Sequence, residues 1–99
     1  MLLAGTILDQ GVWILIDTDA THNDIDSSIT HINGLTECRI NTTVLIGSDM
    51  ELANWGACFT IPLRINCETF QIDAFLLPIS DHINVILGAP WMIEVSNAH

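Results

Sequence analysis

Basic residues are almost absent from this chain. Arg39 and Arg64 stand against 12 Asp and Glu, giving a formal net charge of −10 over 99 residues. Such a surface repels phosphate backbones and anionic lipid, so nucleic acid and membrane are not expected partners. No apolar run reaches the ~20 residues that a membrane-spanning helix needs. The start, Met1–Thr6, has no basic segment and no long apolar stretch, and is not expected to be a signal peptide. Cysteine is scarce: Cys38, Cys58 and Cys67 form no CxxC or other metal-ligand spacing. An odd number in so short a chain speaks against a secreted disulfide scaffold, so the three are expected as reduced thiols in a cytoplasmic setting. There is no Ser-His-Asp or Cys-His nucleophile set and no Gly-rich phosphate loop, and no cofactor is expected.

What is present is apolar. Hydrophobic residues make up 49% of the chain and charged ones only 14%. The length fits one small domain spanning 1–99, and no composition shift divides it. A domain of this size buries a modest share of its surface, so the apolar excess points to cover by a partner subunit.

Runs of four to eight apolar and β-branched residues, punctuated by Gly, Asn, Asp and Pro, predict an all-β domain. Leu2–Leu8 and Val12–Ile16 flank Asp9-Gln10-Gly11 as a first hairpin. Segments 42–46 and 50–53 flank Gly47-Ser48-Asp49 as a second. Cys58–Ile65 and Phe70–Pro78 flank Asn66-Cys67-Glu68 as a third, with Phe59, Ile61, Leu63 and Ile65 alternating as one face of a half-buried strand. Asn23–Gly34 reads as a helical turn or a loosely coiled segment. Ile83–Leu87 is a short strand closed by Gly88, and Pro90 opens a short helix after it.

The segment Ile14-Leu15-Ile16-Asp17-Thr18-Asp19-Ala20-Thr21-His22-Asn23 is an apolar strand that ends by delivering a carboxylate into a tight polar turn. Val44–Leu52, Phe70–Pro78 and Ile83–Met92 follow in order. Together these motifs resemble the retropepsin-like aspartic proteases of plant Ty3/Gypsy-type retrotransposons, over nearly the whole chain. The family signature is Asp-Thr/Ser-Gly-Ala, and Asp19 stands here in place of its Gly.

The resemblance implies a closed β-barrel-like acid-protease fold with one short C-terminal helix and half an active site per subunit. It implies a homodimer acting on a polypeptide substrate, with Asp17 of each subunit catalytic and Thr18, Asp19 and Ala20 forming the active-site loop. The flap over the substrate would be Ile46, Gly47, Ser48 and Asp49, and Ile86, Leu87 and Gly88 the second structural motif. The activity implied is that of a retroviral-type endopeptidase processing a polyprotein. The alternative is an impaired pseudoprotease kept as a dimerisation or peptide-binding module, because Asp19 adds a carboxylate beside each catalytic one. Asp17, Asp19 and His22 follow no metal-site spacing, and no metal is expected.

Overall fold

The computed structural model describes residues 1–32, 34–35, 38–46, 51–79 and 82–97, with side chains described for these except Thr30, positions 39–46 and 51–55, and Asn97. Among the described residues the elements are β1 (Leu2–Ile7), β2 (Gln10–Ile16), β3 (Asp24–Asp26), a 3₁₀ turn (Ser27–His31), β4 (Cys38–Ile46), β5 (Glu51–Ile65), β6 (Glu68–Leu77), β7 (Val85–Leu87) and α1 (Ala89–Asn97).

The strands follow the order β1-β2-β7-β3-β6-β5-β4, and β1 also pairs with β5. That last pairing, Thr6↔Arg64 and Ile7↔Leu63, closes six strands into a barrel and leaves β4 attached outside it on β5. Closure needs a close approach: a Cβ at Gly5 would lie 2.7 Å from the Arg64 carbonyl oxygen. The barrel interior is filled by Ile7, Ile14, Ile25, Ile61, Leu63 and Leu87, all fully buried. Val12 and Ile14, Ile61 and Leu63, Ile72 and Ala74, and Val85 and Leu87 are buried at a spacing of two, the pleat placing alternate side chains inside.

The first hairpin forms, but its link is shorter than expected. Ile7 pairs with Gln10, and Leu8 and Asp9 take φ of 48° and 70°, the positive values a type I′ turn requires at both central residues. The 23–34 segment begins as strand β3 and continues as a helical turn. Asp26 caps that turn, accepting from the Ser28 amide at 3.2 Å and from the Ser28 hydroxyl.

The expected strands 50–53 and 58–65 are one continuous β5, broken only by a register slip between Cys58 and Ile61. One extra residue on β5 there forms a bulge, with Thr60 at φ 56° and its amide donating to Asp73 Oδ1 at 2.9 Å. The bulge shifts the alternation: Cys58 and Ile61 both point inward, and Phe59, expected on the inner face, is 39% exposed.

The expectation of three reduced cysteines does not hold for two of them. Cys38 and Cys58 lie opposite each other on β4 and β5 and form a disulfide, while Cys67 is free and exposed. Strand register, invisible in their sequence separation of 20, brings the two sulfurs together. Thiol usage therefore no longer points to a reducing compartment.

Candidate active site

β7 runs parallel to β2, pairing Ile14↔Val85, Leu15↔Ile86 and Ile16↔Leu87. The ladder continues one step past the strand end, where the Asp17 amide donates to the Leu87 carbonyl at 2.9 Å. The carboxylate-bearing residue is thus fixed by the last rung of a buried parallel pair. From there the chain turns back on itself. The Ala20 amide donates to the Asp17 carbonyl at 3.1 Å, and the Asp19 amide donates to Asp17 Oδ1, also at 3.1 Å. A side-chain oxygen accepting from the backbone two residues on is the local bond that makes Asp favourable in turns.

The second motif holds this loop from behind. The Ala89 amide donates to the Ala20 carbonyl at 2.8 Å. Gly88 fits against the loop backbone so closely that a Cβ there would lie 2.5 Å from the carbonyl oxygens of both Ala20 and His22. Only glycine permits that contact.

Asn23 joins the parts, although sequence reading gives it no role. Its side chain is buried at 5% exposure; Oδ1 accepts from the Gly88 amide at 2.9 Å and Nδ2 donates to the Asp73 carbonyl at 3.2 Å. Its own carbonyl accepts from the Phe75 amide at 3.0 Å. Asn is buried only where its polar atoms are satisfied, and its partners here lie 50 to 65 positions away. No local signal marks it in the sequence.

The predicted site residues divide accordingly. Asp17, Ala20, Leu87 and Gly88 are brought together directly, and Ile86 secures them by pairing with both Leu15 and Asp24. Thr18 and Asp19 are exposed. Asp19 is not among the positive-φ residues, so its backbone does not require glycine. Ile46 ends β4, paired with Glu51, whereas Gly47, Ser48 and Asp49 lie outside the described residues. Among the described residues no three His, Cys, Asp or Glu side chains converge as a metal ion would need.

Two neighbouring carboxyls are shifted in opposite directions. Burial pushes Asp24 above its ordinary value, partly offset by the nearby His22. Burial also acts upward on Asp26, but hydrogen bonds from the Ser28 hydroxyl and from the Ile79, Ser28 and Ser27 amides outweigh it and hold that carboxyl below its ordinary value. The Ile79 bond, 2.8 Å long, ties the 3₁₀ turn to the end of β6.

A concavity of about 570 Å³ lies elsewhere, between the Leu8-Asp9 turn and the Ile29–Ile32 segment, and contains no residue of the 17–23 loop. A smaller cleft of about 230 Å³ adjoins that loop at His22 and Asn23.

A closed six-strand barrel with a C-terminal helix, presenting an Asp from a strand end locked to a Gly-containing second motif, is the retropepsin (acid-protease) fold. The match to a family model is explicit: residues 2–98 fit the retroviral aspartyl protease family, and the chain belongs to it. None of the curated proteins compared with the chain matches it.

Proposed function

We propose that this chain is a retroviral-type aspartic endopeptidase of the Ty3/Gypsy retroelement lineage, working as a homodimer on a polyprotein. The observation that carries the reading is the double fixing of Asp17, by its amide to Leu87 and by the Asp19 amide on its carboxylate. One chain offers one such loop, and a two-fold axis would supply the second Asp17.

Hydrolysis then needs one carboxyl ionised, to take a proton from the attacking water, and one protonated, to donate to the peptide carbonyl. Two carboxyls sharing a site cannot both ionise easily, so they share a proton; aspartic proteases are the standard example of this splitting. The resulting pKa values belong to the pair. Thr18, exposed beside Asp17, would meet its counterpart across the axis, and positions 46–49 would supply the flap over the peptide.

Asp19 favours the second reading, a weakened or silent protease retained for dimerisation or peptide binding. Its backbone serves the site, but its carboxylate adds a like charge two positions from Asp17 in each subunit.

The test is peptide hydrolysis between pH 4 and 7 at high protein concentration, for the native chain, Asp17→Asn and Asp19→Gly. The expected result is cleavage that disappears in Asp17→Asn. Asp19→Gly should raise kcat/KM, because it removes a like charge beside the dyad. Silence from the native chain with activity in Asp19→Gly would identify the second reading. Silence from all three, with a dimer present, would remove the protease assignment.

A further inference from the structure

We infer that the concavity between the Leu8-Asp9 turn and the Ile29–Ile32 segment binds a small organic cation, an ammonium group on a short apolar body. This second site shares no residue with the 17–23 loop and is independent of the endopeptidase reading.

At about 570 Å³ the concavity falls within the roughly 300–1,000 Å³ of sites that take a whole small molecule. Its floor is apolar: Val12 and Ile29 are buried, and Ile32 packs against the same core. Leu8 supplies an apolar wall, at a cost to its own backbone. It takes φ 48° in a type I′ turn, where Asn, Asp and Gly are the residues that fit, and a bulky apolar side chain at positive φ is an outlier. Its Cδ1 reaches across to the chain at Gly34, where a Cβ would lie 3.3 Å away. A leucine 43% exposed serves neither the turn nor the core well; what it does is wall the concavity. Backbone strain of this kind persists where the residue's position serves a function.

The polar groups of the lining decide the charge of the occupant. The Ser28 hydroxyl donates to Asp26, and the Asn84 side-chain oxygen accepts from the Trp13 amide at 2.7 Å. The exposed side chains of Asp9, Gln10 and His31 remain, and among the described residues none of the three has a hydrogen-bond or ion-pair partner. Asp9 also borders a neighbouring concavity that holds Arg64, but the Arg64 Nε donates to the Asn66 carbonyl at 3.3 Å and the two residues form no ion pair. The lining therefore carries one carboxylate and neither lysine nor arginine. An ammonium group gains the Asp9 carboxylate, with the Gln10 side-chain oxygen and an imidazole nitrogen of His31 as further acceptors. An anion would find no counter-charge in the lining and would be repelled by the formal net charge of −10.

The probes are 4-phenylbutylamine, 4-phenylbutanol and 4-phenylbutyrate, which share one apolar body and differ in charge. Each is titrated into the full chain at pH 7.5 and followed by amide chemical shifts. The amine is expected to bind about fivefold tighter than the alcohol, the upper end for a solvent-accessible ion pair, with the carboxylate weakest. The shifts should centre on Leu8, Gln10, Ile29 and Asn84. Asp9→Asn should bring the amine down to the affinity of the alcohol. Leu8→Asn, which suits the turn, should weaken amine and alcohol alike by at least about threefold through lost apolar contact, with a urea midpoint no lower than that of the native chain.

An amine preference that survives Asp9→Asn would come from net charge alone and overturns the inference. So does carboxylate binding as tight as amine binding, undiminished binding by Leu8→Asn, shifts centred on the 17–23 loop, or no binding of any probe.

Discussion

At Gly88 two backbone oxygens occupy the space a side chain would need, and neither can move without shifting the loop that carries Asp17. Gly88→Ala is therefore expected to destabilise the fold by about 1–3 kcal/mol, the usual range for forced overpacking, read as a lower urea midpoint. Removing the amide that binds Gly88 acts through a different route. Asn23→Ala leaves the buried Gly88 amide without its partner, with an expected loss of roughly 1–3 kcal/mol in the same assay. The carboxyls of β3 give opposite pH signatures. Asp26, depressed when folded, stabilises fully above the ordinary carboxyl value near pH ~4 and loses that contribution as pH falls through its lower folded value. Asp24, raised when folded, destabilises at neutral pH, and that penalty is relieved as pH falls through its raised value. Asp26→Asn should thus lower the urea midpoint at pH 7 and do so less at pH 3. Asp24→Asn should raise it at pH 7, with the difference fading as the pH falls toward about 4 and gone below it.

Among the elements, the β4–β5 pair differs most from the rest, because β4 lies outside the closed barrel and, among the described residues, pairs only with β5. The Cys38–Cys58 disulfide fastens it to a buried position of β5, adding a covalent constraint where the sheet has one fewer neighbour. Closing a loop of 20 residues is worth about 3 kcal/mol through the unfolded chain. Cys38→Ser, or reduction by a dithiol, is expected to lower unfolding free energy by roughly that amount in paired denaturation curves. β7 shows how a three-residue strand can still organise a site. It lies between β2 and β3, so its pairings hold both flanks of the 17–23 loop at once.

For the molecule as a whole, charge would set how two copies meet. With a formal net charge of −10, two copies repel at neutral pH, and the loss of negative charge as pH falls weakens that repulsion. Sedimentation equilibrium should show tighter self-association at pH 5 than at pH 7, and the difference should shrink in 0.5 M salt, where the screening length falls to about 4 Å. A pH dependence that survives high salt would place its origin in specific contacts instead of net charge.

The amino-acid sequence by itself determined the strands other than β3, the position of Asp17 at a strand end, the Gly88 that follows β7, and the family. Each depends on period-two patterning or on residues adjacent along the chain. Tertiary structure decided what depends on register and closure. Asn23 acquires its role only when β6 and the β7–α1 junction pack against its loop. Phe59 faces outward only because one extra residue bulges β5. Cys38 meets Cys58 only because β4 pairs with β5 at that offset. A side chain's face and its distant partners are set by how strands align. That alignment is a property of the closed barrel, not of any local run of residues.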